Sequence, residues 1–251
     1  MLLVHQQFRP GKARARQSLE AQMARDFDRY DVQLPWIETE ALTGAPGALF
    51  IDPFDSYDDL DRAGATFASA YARHPELAHL QQEIDDLISD SKTLIAVRRD
   101  DLGYRSDTID LSKARYFRVD VLHVYPGHEA DFTQAAKIAA GADQRVNAPL
   151  PWVVYEVDAG STRPLYLAFT TMHALKEADE ILNAQKRIQQ TDSATSGLLR
   201  DIARDTYSST ETNFYAVNPA MSHVSQQFAA GDPQFWIVKS APPAKPAGEK
   251  K

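Results

Sequence analysis

The stretch Leu34-Pro35-Trp36-Ile37-Glu38 has a counterpart 116 residues later, in Leu150-Pro151-Trp152-Val153-Val154. A Pro-Gly step that begins at Pro10 is repeated, with the same offset, at Pro126. Self-similarity at one fixed offset is the sequence signature of an internal repeat. Because two of the matched segments hold the uncommon Pro-Trp dipeptide, the pattern predicts that the chain consists of two copies of one unit.

Each copy has the same predicted order of elements. An apolar strand ends at Pro-Gly, and an amphipathic helix follows, in which Leu19, Met23, Phe27 and Tyr30 form one stripe. Two strands joined by a Gly-containing turn come next, then a helical stretch in two pieces and a last strand. The predicted strands are 2–8, 36–41, 48–51 and 93–97 in the first copy and 116–125, 152–157, 165–169 and 213–217 in the second.

The similarity between the two copies extends to further strands. Segment 48–51 aligns with 164–167 at the same offset of 116, and 94–97 aligns with 214–217 at a slightly larger one. We attribute the growth to a longer second helical region. In the first copy Pro75 breaks that region, since proline suits the first turn of a new helix.

The order β-α-β-β-α-β, found twice, is that of the split βαβ unit, an antiparallel sheet with its helices on one face. Such a unit leaves its other face apolar and uncovered, so two copies are expected to pack those faces together. The predicted fold is therefore α+β: two tandem ferredoxin-like units packed sheet to sheet as a single-chain α/β barrel. The predicted boundaries are 1–99 and 115–225 for the units, 100–114 for a linker, and 226–251 for a C-terminal extension with a disordered tail beyond Val238.

Composition narrows the classes of partner and chemistry. The chain has 251 residues, a net charge of −8 and no cysteine, which excludes disulfides and thiolate chemistry. Phosphate binding needs a basic face, so the acidic balance argues against nucleic acid and anionic membranes as partners. No apolar run is long enough to cross a bilayer. We expect either a cytoplasmic protein or an exported one whose leader is absent from this chain.

Several segments resemble the dimeric α/β-barrel superfamily, and the similarity covers nearly the whole chain. They are 116–119, 125–129, 151–157, 209–214, 221–225 and 232–236. That superfamily includes antibiotic-biosynthesis monooxygenases, NIPSNAP-type proteins, stress-responsive barrels and chlorite dismutase-like haem proteins, the last of which also fuse two units in one chain. The chain is most similar to uncharacterised bacterial members, for which the resemblance implies no catalytic residue. A homo-oligomer is compatible with it.

Nine residues are candidates for lining a ligand pocket. Strand alternation gives His123 and Phe117 one face of an apolar strand, where a histidine can be a general base, a haem or metal ligand, or a hydrogen-bonded core residue. The core interpretation is favoured, because histidines of intermediate burial are common. The full candidate set is His5, Trp36, His123, Tyr125, Trp152, Tyr155, Glu156, Phe169 and His173. No metal site is predicted.

Three hypotheses for the function remain open. The first is a protein that binds a small apolar or aromatic ligand in the barrel or in a pocket between sheet and helices. The second is a cofactor-free monooxygenase-like enzyme, and the third is a haem-binding barrel with His123 or His173 as the ligand. Motifs for phosphate loops, zinc proteases, serine hydrolases and dinucleotide binding are absent from the sequence.

Overall fold

The computed structural model describes residues 1–237, so the predicted disordered tail beyond Val238 lies outside the described residues. Its strands are β1 (Leu2–Phe8), β2 (Ile37–Ala41), β3 (Gly47–Asp52), β4 (Ile88–Tyr104), β5 (Tyr116–Val124), β6 (Trp152–Ala159), β7 (Leu165–Met172) and β8 (Tyr207–Val217). Its α-helices are α1 (Ala13–Arg29), α2 (Tyr57–Arg73), α3 (Pro75–Asp85), α4 (Glu129–Arg145), α5 (Ala178–Thr191), α6 (Ser193–Thr206), α7 (Gln226–Ala229) and α8 (Pro233–Trp236). None of the helices among residues 1–237 has the length and apolar character needed to span a bilayer.

Local sequence explains where the helices begin and break. The side chain of Ser56 accepts a hydrogen bond from the backbone N–H of Asp59 and so caps α2. Pro75 occupies the first turn of α3, which separates α2 from α3 as predicted. In the second half the carboxylate of Asp192 accepts from the N–H of Thr195 and starts α6. Both second helical regions are therefore two helices.

All eight strands pair into one closed antiparallel barrel. The order around it is β1-β3-β2-β8-β5-β7-β6-β4, and it returns from β4 to β1. Within the first half the order is β4-β1-β3-β2, and within the second it is β8-β5-β7-β6. The two halves therefore have the same strand order, and each contributes four neighbouring strands.

Two seams join the half-sheets. The β2–β8 seam is short, since only residues 39–41 pair with 215–217. The β4–β6 seam is longer, because β4 extends through Tyr104, five residues into the segment predicted as a linker. Gly103 makes this approach feasible: its φ is +135°, and a Cβ there would lie 2.7 Å from the backbone oxygen of Trp152.

The barrel interior is an apolar core. Side chains from strands of both halves fill it, among them Leu3, Ile51, Phe117, Val157 and Phe169. Trp236 of α8 also packs against this core, and its indole N–H donates to the backbone oxygen of Ser112 at 2.6 Å. The uncovered apolar faces inferred from the sequence thus shelter one another inside the barrel.

Strand register corrects the predicted match between the third strands. Leu2 lies opposite Asp52, whereas Arg118 lies opposite Thr170, so the offset between β3 and β7 is 118 and not 116. The second half gains two residues because β6 runs eight residues from Trp152 to Ala159, while β2 ends at Ala41. Side chains alternate between the two faces of a strand with a period of two, so an insertion of two residues leaves each side chain on its face. The strand β7 was therefore identified correctly although its offset was not.

The two halves differ most where the first helix meets the sheet. In the first half the guanidinium of Arg16 donates to Glu38 at 2.6 Å and to Glu20 at 3.2 Å, and all three side chains are buried. We call these three residues the ion triad. Arg16 Nε and one oxygen of Glu38 have no hydrogen-bond partner among the described residues. The triad is thus incompletely paired.

Apolar residues occupy the corresponding positions of the second half. The helices α1 and α4 begin 116 residues apart, which places Phe132 and Ala136 at the positions of Arg16 and Glu20. On the strands, Glu38 lies opposite Phe50 and Val154 lies opposite Ala168. Phe132, Ala136 and Val154 belong to one hydrophobic cluster. The same site is therefore ionic in one half and apolar in the other.

This difference predicts the cost of breaking the triad. We expect Arg16→Met to lower the free energy of unfolding by about 3–5 kcal/mol, because it leaves two buried carboxyl groups without their cation. The triple variant R16F/E20A/E38V, which carries the residues of the second half, is expected to regain most of that loss. Urea denaturation of the three proteins measures both effects. A triple variant less stable than R16M contradicts this interpretation.

Candidate functional site

Two cavities lie between the outer face of the barrel and the helices that cover it. The first cavity has a volume of about 410 Å³ and lies between β1, β3 and the helices α1, α2 and α3. The second cavity has a volume of about 490 Å³ and lies between β5, β6, β7 and the helices α4, α5 and α6. They occupy corresponding places in the two halves.

The walls of the first cavity are mainly apolar. Phe27 and Trp36 meet edge to face with their ring centroids 5.0 Å apart, and Phe50 adds a third ring from β3. Leu60, Gly64 and Phe67 of α2 line the opposite wall. Their spacing puts these three residues on one stripe of α2. Ala70 is the one residue of α2 that is buried. The helix therefore covers the cavity without filling it.

Asp52 is a carboxylate in these apolar surroundings. It lines the first cavity at the end of β3, and its Oδ1 is shielded from solvent with no hydrogen-bond partner among the described residues. Burial raises the pKa of Asp52 to about 7, against the lowering effect of the N-terminal ammonium of Met1. The side chain is therefore near the midpoint between its acid and carboxylate forms at neutral pH, and it can accept or release a proton there.

A second polar group lines the same cavity further along β1. The Oε1 of Gln6 is shielded from solvent and unpaired within residues 1–237. Glu20 reaches the cavity from α1, and burial raises its pKa to about 7 against the lowering effect of Arg16. The hydroxyl of Tyr71 donates to Gln81 at 3.0 Å, and burial raises the pKa of Tyr71. Tyr71 is therefore held neutral.

Glu20 also belongs to the ion triad, whose other two members, Arg16 and Glu38, do not line the first cavity. Burial raises the pKa of Glu38 well above its usual range, and the neighbouring carboxyl of Glu20 adds to the rise. One cation, Arg16, serves two carboxyl groups, so a single positive charge is shared between them. The arrangement favours one proton on the pair of carboxyl groups, and it places a protonatable group at the wall of the cavity.

The second cavity has a different distribution of polar groups. Arg118 donates to Asp120 with distances of 2.9 and 3.1 Å, and both residues line the cavity. The indole N–H of Trp152 donates to Asp143 at 2.8 Å, while burial raises the pKa of that carboxyl. The charged side chains that approach this cavity from the sheet are therefore already paired.

The structure places the nine candidate residues in different regions. Alternation along β1 and β5 puts His5 and His123 on the interior face with Leu3 and Phe117, and Tyr155 and Phe169 pack in the same core. Trp36 lines the first cavity and Trp152 the second. The remaining three, Tyr125, Glu156 and His173, lie at or near the surface. These residues do not form one pocket.

Particular contacts explain the surface placements. Tyr125 follows the end of β5 and is 47% exposed. Glu156 lies on β6, where one carboxylate oxygen accepts from Arg99 at 2.8 Å. The side chain of His173 is 67% exposed, 3.7 Å from Glu177. His5 is half-buried on the interior face, and desolvation lowers its pKa.

Of the residues that carry the first cavity, Trp36 was among the candidates, but the three polar ones were not. Asp52, Gln6 and Glu20 lie on the strand and helix faces that meet each other outside the barrel. A carboxylate at the end of the apolar run Gly47-Ala48-Leu49-Phe50-Ile51 was a usable signal, since a buried acid without a partner is costly. The emphasis on histidine directed the sequence prediction to the interior face.

The haem hypothesis can be tested against the cavities. Haem iron needs an axial ligand, most often histidine and in some proteins tyrosine. No histidine lines either cavity within the described residues. Tyr71 and Tyr207 line them, but burial raises the pKa of each phenol and so disfavours the phenolate that would bind iron. The residues present do not fit a haem in these cavities.

Comparison with known proteins gives the fold. No protein-family model matches the chain, and no curated protein is detectably similar in sequence. Among solved structures, it is similar to an anthrone oxidase-like protein, with a TM-score of 0.58 and 14% identity over 86% of this chain and 90% of that one. It is also similar to a "putative monooxygenase" from Lactobacillus acidophilus NCFM, with a TM-score of 0.53 and 8% identity over 86% and 92%.

A further match is a "putative chlorite dismutase", with a TM-score of 0.52 and 10% identity over 88% of this chain and 95% of that one. At such low identities these similarities show a shared fold and leave the chemistry to the site. The chain is thus a mixed α/β protein built on a closed eight-stranded antiparallel barrel, a fold that it shares with monooxygenase-type and chlorite dismutase-type proteins.

Proposed function

We propose that this protein binds a small, largely aromatic molecule with a hydrogen-bond donor group, and that the ligand occupies the first cavity. The observation that carries the proposal is the shielded, unpaired Oδ1 of Asp52 among apolar walls. A buried polar group without a partner costs about 1–3 kcal/mol, and a donor on a ligand would remove that cost. Ligand pockets combine apolar walls with a few such groups.

The shape and size of the first cavity support this choice. Its volume of about 410 Å³ lies within the range of small-molecule sites. Phe27, Trp36 and Phe50 supply aromatic faces on which a flat ligand can pack. The second cavity is larger, but the charged groups that approach it from the sheet, Arg118 and Asp120, already pair with each other.

Filling the first cavity is expected to abolish binding. Gly64 lines the cavity from α2, and a Cβ there would meet no atom within 4 Å, so Gly64→Phe introduces a ring without a backbone clash. We expect at least a tenfold loss of affinity for 2-naphthol, measured by fluorescence titration. The matched control is Gly197→Phe on α6, which has the same free space and does not line the first cavity. Equal affinity in the two variants would contradict the proposed site.

Removal of the Asp52 carboxyl provides the second test of the same site. We expect Asp52→Leu to weaken the binding of 2-naphthol about tenfold, because the hydroxyl loses its acceptor. Thr170→Val is the matched control, since Thr170 occupies the position in the second half that Asp52 has in the first. If Thr170→Val weakens binding as much as Asp52→Leu does, the ligand is in the second cavity.

Cofactor-free oxygenation is a second candidate function, favoured by the pKa of Asp52. A carboxylate with a pKa of about 7 in an apolar cavity is a stronger base than an exposed aspartate. It could remove a proton from an activated CH₂ group. Addition of O₂ to the resulting carbanion and loss of water from the hydroperoxide would leave a carbonyl, so that CH₂ and O₂ give C=O and H₂O. The anthrone oxidase-like neighbour makes anthrone a reasonable probe.

The pH dependence of oxygen uptake tests this candidate. Since the base must be ionised, we expect the rate with anthrone to rise with pH and to reach half its maximum near pH 7, the raised pKa of Asp52. Asp52→Asn is expected to lower the rate at least 100-fold, after subtraction of the reaction without protein. A rate for Asp52→Asn equal to that of the unaltered protein would exclude this role, while the binding function would stand.

The architecture itself also supports an inference about origin. We infer that the two halves are ferredoxin-like units produced by tandem duplication. In support, both have the strand order described above, and both begin their second strand region at a tryptophan that lines the cavity of its own half. A homo-oligomer remains a prediction from the family resemblance.

A further inference from the structure

We propose that the first cavity has two polar poles and selects an elongated apolar molecule with a hydrogen-bond donor at each end. The inference rests on the proposed function and specifies the ligand further. One pole is the carboxyl of Asp52. The other consists of Gln6 with Glu20, and both poles line the same cavity. A ligand with one donor would satisfy only one of them.

Each pole contains a shielded oxygen that lacks a donor. The Oδ1 of Asp52 and the Oε1 of Gln6 are two of the four buried side-chain atoms within residues 1–237 that have no hydrogen-bond partner. The other two, Arg16 Nε and Glu38 Oε2, belong to the ion triad. The cavity therefore holds both of the unpaired acceptors that lie outside that network, and both are oxygens that a ligand hydroxyl or amine can serve.

Strand register gives the separation of the poles. Asp52 lies opposite Leu2 on β1, and Gln6 is four residues further along the same strand. At about 3.3 Å per residue the two positions are about 13 Å apart along the strand. The two side chains project from these positions into the cavity, so a ligand that donates to both oxygens needs donor groups at opposite ends of an elongated frame. A rigid two-ring frame with substituents at opposite ends has this form.

Apolar residues separate the poles. Val4 lies between Leu2 and Gln6 on the same face of β1, opposite Phe50 of β3. Phe27 and Phe67 face this middle region, with their ring centroids 6.4 Å apart. Apolar and aromatic side chains therefore line the stretch of the cavity between the two poles. The chemistry thus favours an apolar middle with polar ends.

The second half lacks the inner pole. Leu122 occupies the position of Gln6, and Ala136 occupies that of Glu20, as the offset of 116 between β1–α1 and β5–α4 requires. Leu122 and Ala136 both line the second cavity. The same backbone therefore accommodates a leucine at this site, which makes Gln6→Leu a conservative change for folding.

The test compares two ligands with the same ring frame. We expect the unaltered protein to bind 2,6-dihydroxynaphthalene at least tenfold more tightly than 2-naphthol in fluorescence or calorimetric titrations. A symmetric diol gains a factor of two from its equivalent orientations alone, so a preference of twofold or less overturns the proposal. Gln6→Leu should reduce the preference to about twofold, because only the Asp52 pole then accepts a hydrogen bond from the ligand.

Controls distinguish the outcomes. Gln185→Leu alters a glutamine that lines the second cavity and should retain the full preference for the diol. If Gln6→Leu keeps the tenfold preference, the inner pole is wrong. If the unaltered protein binds neither compound, the proposed function and this inference both fail. If it binds 2-naphthol with a loss in Asp52→Leu but does not prefer the diol, only the second pole fails.

Discussion

Closure of the barrel is the constraint on which the rest of the structure depends. A four-stranded half-sheet has two edges with unpaired backbone groups and one apolar face without a cover. Here the edge strands of one half pair with those of the other, β2 with β8 and β4 with β6, and the two uncovered faces become a single interior. Neither half can satisfy these groups alone. The outer faces are thereby left to the helices, and the cavities arise there.

The sequence predicted an α/β barrel because an internal repeat is visible in residues that have a local structural role. The Pro-Gly steps end the first strands, and Trp36 and Trp152 begin the second strand regions, so their common offset identifies the same place in each half. The sequence did not predict the offset of 118 between corresponding positions of β3 and β7. That offset depends on the length of β6, which becomes visible only through its pairing with β7. The extension of β4 to Tyr104 likewise depends on a partner in the other half.

The candidate site was less accessible to sequence analysis for a different physical reason. Alternation sorts the side chains of a strand into two faces, but both faces of these strands are covered, one by the barrel core and one by helices. The sequence prediction centred on His123, which lies on the interior face of the barrel, where the side chains are well packed. Asp52 and Gln6 lie on the other face, and their importance follows from the lack of partners, which no sequence pattern reports. Trp36 is the one predicted residue that lines the first cavity.

The comparison between the halves shows that polarity in the first cavity is not required by the fold. At the positions of Arg16, Glu20 and Glu38 the second half has Phe132, Ala136 and Val154, which pack in one hydrophobic cluster on the same backbone arrangement. Replacing a buried ionic group with apolar residues is often neutral or stabilising, so folding alone does not favour the ionic version. The unpaired oxygens of Asp52 and Gln6 add a further cost. Groups that make the free protein less stable and could be satisfied by a ligand are those expected at a binding site, which supports the proposal that the first cavity binds a ligand.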